Sequence, residues 1–441
     1  MSWTDLVSAD VKHFSDLLDD PSRQDQDTVD ELGFGKVRDF YSDVFFPGIT
    51  TLLTRARYIT LVPALMSRLG RISNISSRLH KDPDSCLHDW ERVINDHFKK
   101  LRENGAIGKV SRDRRFTEIY WPVLSKLDMI REEWNDFSMP EFVERLGRPE
   151  PNTLNENKES IGSTREEPWE SELTDLLIEN PILHFTGANL TRRCLSELTL
   201  DLTRAEANYL RARFEKLGSG NAQDRRVSLW QKLIIRCRAA SEGNIQSISE
   251  MPTLKSLAAG TTIELHAKNA IMFSRFARTM YIAYWYHVAK ITSPRKFAKE
   301  MEALQEAGLK LASGLAGRNI RAQIEEYIHS GLGNLVNDAK KYGQDIAVGD
   351  LPNRDRLHEW LQMLPNCQSM FDDPGLACLS SLESRAKKGS SRSRLMRKKT
   401  LALDLEKTLR AQTRLPLRRY QYYYRLQQAV TIARDIAHPN K

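Results

Sequence analysis

The sequence predicts a mainly α, multi-helical protein, and two observations carry that prediction. Apolar residues recur mainly at three- and four-residue spacing, whereas alternating strand-like runs are scarce and short. The clearest stripe runs from about Thr261 to Thr292 through Ile263, Ala267, Ala270, Ile271, Ser274, Ala277, Tyr281, Tyr284, Trp285, Val288 and Ile291, so a long helix is expected at the centre of a core. Ser293 and Pro294 then suit the N-cap and first position of a further helix reaching about Ser313. Thr203 with Glu206 has the spacing of a capping box for a helix ending near Leu217, before Gly218.

A chain of 441 residues has room for two or three domains, and 40% apolar with 28% charged residues is a globular composition. The stretch from Gly147 to Pro168 is polar, rich in Pro, Asn, Ser and Glu, and has no apolar period. It reads as a linker or long surface loop. Two packed helical domains are therefore expected, an N-terminal one over 1–146 and a central one over 171–383, separated by a linker at 147–170. A basic C-terminal segment over 384–441 follows, with helices near 400–412 and 416–437.

Five widely spaced cysteines without a CxxC pair read as reduced thiols of a cytoplasmic protein, and the polar, acidic N-terminus lacks the features of a signal peptide. The most apolar stretch, Ile271 to Ala289, is interrupted by Arg275, Arg278 and His287, so no membrane association is expected.

Charge is distributed unevenly. Between Arg385 and Arg425 there are fourteen Lys and Arg against Asp404 and Glu406, a net of +12 within a total of +8, which leaves −4 for the rest of the chain. Such concentration is the footprint of a polyanion contact. Lys387, Lys388, Arg392, Arg394, Arg397, Lys398 and Lys399 are the candidate phosphate ligands, extended by Arg418 and Arg419. Tyr420 and Tyr423 are candidates for base stacking. A helix from about Pro416 would put Tyr420, Tyr423 and Tyr424 on one side, where a buried core role competes with stacking. Nucleic acid, and DNA in particular, is the expected partner; a solvated face or a strip for an acidic protein is the alternative.

The densest motif block runs from Thr28 to Pro63. Pro47 and Gly48 suit the central positions of a type II turn, after which Thr50 or Thr51 can cap a helix carrying Arg55 and Arg57. Asp39 and Asp43, four apart on one helical face, are expected to pair with those arginines. The competing use of Arg55, Arg57 and the helix start is to receive phosphate. With its Asp30-Glu31-Leu32-Gly33, Gly35, Arg38-Asp39, Asp43, Phe46-Pro47-Gly48 and Thr54-Arg55-Ala56-Arg57-Tyr58 elements, the block resembles a prokaryotic family known as a domain of unknown function, DUF 6361. The resemblance implies no assigned activity. It implies company with helicases and nucleases in anti-phage gene neighbourhoods, and hence helicase or nuclease partners.

Catalytic signatures are sparse. Neither Gly35-Lys36 nor Gly108-Lys109 belongs to a phosphate loop, and there is no HExxH or GxSxG. Glu156-Asn157-Lys158 lacks the carboxylates of a nuclease, and Phe273 stands where a motif begun by His266 and Lys268 needs an aspartate. Arg92 and His97 have the Arg-x4-His spacing of HEPN-type ribonucleases, in which a histidine moves protons at the 2′-hydroxyl while an arginine stabilises the phosphate. Val93 departs from that pattern, and an ordinary helix face is the competing reading. Cys86, His88 and His97 match no common zinc spacing. The expectation is a non-enzymatic nucleic-acid-associated subunit without metal or cofactor, with the ribonuclease and a protein-only scaffold as alternatives.

Overall fold

In the computed structural model, the described residues are 32–72, 82–107, 115–147, 168–184, 190, 195–217, 229–240, 253–341, 344, 346–387, 395 and 424–439. Among them helices dominate, and β-structure is confined to a single antiparallel bridge between Ile130 and Trp169. In chain order the main helices begin with α1 (Gly35–Phe45), α2 (Arg57–Ile72), α3 (Pro83–Lys100), α4 (Phe116–Lys126) and α5 (Met139–Gly147). They continue with α6 (Ser171–Ile178), α7 (Arg204–Lys216), α8 (Leu229–Ala240), α9 (Glu264–Thr292) and α10 (Ala298–Leu315). The last are α11 (Arg318–Glu326), α12 (Leu332–Lys341), α13 (Arg354–Met363), α14 (Asp373–Ala386) and α15 (Leu426–Ala437).

The chain forms two compact units, each assembled from separate stretches. One contains 46–257 with 425–441 and the other 26–45 with 258–424. In the first, α2 packs on α4 and α5, and α15 packs on α7 and α8. Both sides of the polar 147–170 stretch belong to this unit. The Arg131 amide donates to the Pro168 carbonyl (2.9 Å), the Glu170 amide to the Met129 carbonyl (3.2 Å), and Arg213 binds the Glu170 carboxylate (2.6 Å). A polar, aperiodic stretch does not say whether the helices on either side of it share a core.

In the second unit α9 is central, packing on α1, α10 and α14. From Ile282 to Ala289 every one of its side chains is buried, so these two turns of the helix are enclosed on all sides rather than on one stripe. The helix begins at Glu264, close to its expected start. The next helix differs from expectation. Ser293 does not cap it; the Ser293 carbonyl receives the Lys296 and Phe297 amides in an intervening turn, and α10 starts only at Ala298. The capping box forms as expected: the Thr203 hydroxyl accepts the Glu206 amide and the Glu206 carboxylate accepts the Thr203 amide (2.9 Å).

At the C-terminal end the helix expected from Pro416 is seen only from Leu426. Tyr424 and Arg425 have φ of 49° and 61°, left-handed values that no right-handed helix can pass through. The buried Tyr424 ring accounts for this, since it meets Tyr41 and Phe45 edge-on while its hydroxyl donates to the Ala270 carbonyl. Tyr424 is thus a core residue. Among the described residues, no helix is long and apolar enough to cross a membrane.

Candidate functional site

Three groups of candidate residues can be placed. In the signature block, Pro47 and Gly48 form the expected turn: the Ile49 amide donates to the Phe46 carbonyl (3.3 Å), and Gly48 has the positive φ, 79°, that position requires. Neither Thr50 nor Thr51 begins a helix, however, because α2 starts only at Arg57 and Arg55 lies in the irregular chain before it. The backbone there is fixed by other means. The buried Tyr120 hydroxyl accepts the Thr54 and Arg55 amides (2.8 and 3.1 Å) and donates to the Arg55 carbonyl (2.9 Å).

Arg55 and Arg57 do form ion pairs, but not with the expected acids. Arg55 donates Nε to Asp435 (3.0 Å), one terminal nitrogen to the Asn104 carbonyl (3.0 Å), and the other to Asp201 (2.7 Å) and the Leu200 carbonyl (3.1 Å). Gly105 makes room for that side chain, since a Cβ there would stand 2.8 Å from Arg55 Cγ. Desolvation pulls the Arg55 guanidinium down, but Asp435 and Asp201 together hold it above its ordinary range. Arg57 is buried against Glu206, whose other oxygen accepts the Thr60 hydroxyl (2.8 Å). Burial lowers Arg57 to about 10, with Asp201 opposing, and it therefore stays charged at neutrality.

Asp39, expected to pair with these arginines, accepts instead from its neighbour Arg38 on α1 (3.1 Å). Asp43 lies half-buried on the same helix. The four-residue spacing rightly put the two acids on one face, but periodicity does not identify what that face meets. At the start of α2 the Ala56 amide donates to Asp435 (2.8 Å). An internal carboxylate thus takes the place a phosphate was considered for, and both guanidinium groups are occupied by acids.

The second group is Arg92 and His97 on α3. Five residues on an α-helix separate two side chains by about 140° around the axis. His97 Nε2 contacts the Leu198 carbonyl at 2.9 Å, while Arg92 is 70% exposed beside Asp89. They do not converge on a common point. Among the described residues Cys86, His88 and His97 also form no ligand cluster.

The third group is the basic segment. Lys388, Arg392, Arg394, Arg397, Lys398, Lys399, Arg418, Arg419, Tyr420 and Tyr423 lie outside the described residues. Its described members show how it is fastened. Glu383, fully buried on α14, accepts Lys387 Nζ (2.6 Å), the Tyr284 hydroxyl (2.8 Å) and the Leu395 amide (3.0 Å). Lys387 was expected to face phosphate, but its ammonium belongs to an internal ion pair. Nothing in the sequence marks Glu383 as an organising acid, because a lone glutamate on an amphipathic helix is indistinguishable from a solvated one until the core is known. Glu383 and Leu395 on one side and the buried Tyr424 on the other belong to the same unit.

Neither a curated protein nor a solved structure matches the chain. Over residues 1–127 it matches DUF6361, a family of unknown function, so the resemblance read on Thr28 to Pro63 extends through α4, whose Tyr120 hydroxyl fixes the backbone at Thr54 and Arg55.

Proposed function

We propose that the protein is a non-enzymatic subunit that binds nucleic acid, DNA in the first instance, through the cationic stretch between Lys388 and Arg419. The observation that carries this reading is the charge distribution. A net of +12 over 385–425 stands in a chain otherwise at −4, and dense Lys and Arg neutralise phosphates with release of counterions. The fastening of the segment at Glu383 and Tyr424 supports it, since a cationic stretch held at both ends loses less conformational entropy on binding than a free tail. Helicase or nuclease partners in a defence system, as the family resemblance implies, would supply catalysis.

The test is a salt series of DNA binding with Arg394, Arg397, Lys398 and Lys399 all changed to Glu. Affinity should fall for every DNA sequence alike, and the slope of log K against log salt should flatten by about three to four if each side chain contacts one phosphate. Glu383→Gln with Lys387→Met, which removes a cation together with the carboxylate that already neutralises it, should leave that slope unchanged. Equal affinity of the wild type and the fourfold variant across the series would refute the proposal.

A further inference from the structure

A cluster of metal-ligating side chains lies in the second unit, apart from the basic segment. Glu325 is the penultimate residue of α11, and His329 follows four residues later. On an ideal α-helix that spacing leaves two side chains about 40° apart, on one face. Here the helix widens into a π-turn over Tyr327–Gly331 before α12 begins. Single π-turns of this kind are rare and recur at functional sites.

The π-turn is held from its inner side. The buried Tyr327 ring packs against Gly331, where a Cβ would collide with it, and its hydroxyl accepts from Tyr41 (3.3 Å). The outer side presents His329, which is exposed, next to Glu325. The third member, His358, comes from α13, which packs against both α11 and the π-turn.

One ligand atom from each of Glu325, His329 and His358 lies within 4.8 Å of the other two. His358 Nδ1 is shielded from solvent, has no hydrogen-bond partner, and stands 3.9 Å from Glu325 Oε1, too far for a hydrogen bond. A tetrahedral ion with metal–ligand distances of about 2.0 to 2.2 Å brings neighbouring nitrogen and oxygen ligands to about 3.4 Å. Closing that gap needs only small side-chain movements, and both side chains are partly exposed, 39% and 46%. Gln362 supplies an outer partner: its amide lies 3.3 Å from His358 Nε2 and accepts Arg321 on the other side (3.1 Å). With His358 bound through Nδ1, the amide turns so that its oxygen accepts the Nε2 proton, and the exposed Arg321 bond is given up to solvent.

We propose that Glu325, His329 and His358 form a binding site for a divalent first-row transition metal, with zinc the best-matched ion. Two imidazoles and one carboxylate are the donor set such ions prefer, and three protein ligands leave a tetrahedral ion one position for water or an external donor. The nearby Arg321 and the Arg356–Glu359 ion pair lie outside the ligand set.

The test is a titration of the full chain, stripped with a chelator, with zinc by calorimetry and with cobalt by absorption spectroscopy. One ion per chain should bind, and the cobalt spectrum should show ligand-field bands without a thiolate charge-transfer band. His329→Ala, His358→Ala and Glu325→Gln should each weaken binding at least tenfold, and Gln362→Ala by a smaller factor. His329→Ala is the decisive variant, because its exposed side chain can be removed without disturbing the core, as an unchanged melting curve will confirm. Absence of saturable binding, or binding that all three ligand variants leave unchanged, overturns the site.

Discussion

Arg55 and Asp435 stand 380 positions apart and are joined by a 3.0 Å ion pair, while the same aspartate oxygen accepts the Ala56 amide at 2.8 Å. Arg55 lies within the family-matched region, but its acids Asp201 and Asp435 lie beyond it, as does Glu206, which holds Arg57. The signature arginines therefore tie the N-terminal stretch to α7 and α15 within the first unit. Their role here is architectural, and it makes the C-terminal helix part of the N-terminal core.

Asp435→Ala should destabilise the first unit by about 3 to 5 kcal/mol, since it leaves a buried guanidinium with one acid fewer and removes the acceptor of the Ala56 amide. Asp435→Asn, which keeps an acceptor for that amide, should cost less. Urea unfolding of the two variants measures both. An Asp435→Ala midpoint within error of the wild type would show that the pair contributes nothing.

Glu383 and Lys387 should behave as a coupled pair in the second unit. Removing Lys387 leaves the carboxylate of fully buried Glu383 poorly compensated, at a cost of about 3 to 5 kcal/mol, whereas removing Glu383 leaves a half-buried ammonium that can reach solvent and should cost less. Glu383→Gln with Lys387→Met should cost clearly less than the sum of the single changes, and a double-mutant cycle gives the coupling, expected to be at least about 1 kcal/mol. Because Glu383 also accepts the Leu395 amide, trypsin should cut between Lys388 and Lys399 faster in Glu383→Gln than in the wild type. Strict additivity with unchanged cleavage would contradict this account.

Features decided by neighbours in sequence were legible in advance. The Pro47–Gly48 turn, the Thr203–Glu206 capping box and the long helix through Tyr284 each depend on residues within a few positions. Partners of charged side chains were not legible, because they depend on which helices meet. Arg55 finds acids at 201 and 435 rather than at 39 or 43, and Lys387 finds a buried glutamate rather than solvent. The Glu325, His329 and His358 cluster escaped for a similar reason. Its i, i+4 half is visible in sequence, but the third ligand arrives from another helix, 29 residues later.

Buried His287 should make the second unit sensitive to mild acid. Its Nε2 contacts the Met370 carbonyl at 3.0 Å, which makes it the protonated nitrogen, and Nδ1 has no hydrogen-bond partner. Protonating Nδ1 would place a charge in the core, so desolvation lowers the imidazole from 6.5 to about 4; the Met370 carbonyl opposes this, Lys290 adds to it, and Asp372 and Asp373 counter it. Since the folded state holds this proton more weakly than the unfolded chain does, the stabilisation is fully present above about pH 6.5 and is lost as pH falls towards 4. Between pH 7 and pH 5 the loss from this residue should be about 2 kcal/mol, out of about 3 in all. His287→Gln offers an amide donor to the Met370 carbonyl but cannot titrate. Urea midpoints at the two pH values should therefore converge in the variant by that amount relative to the wild type, and an equal pH slope in both proteins would show that His287 does not set it.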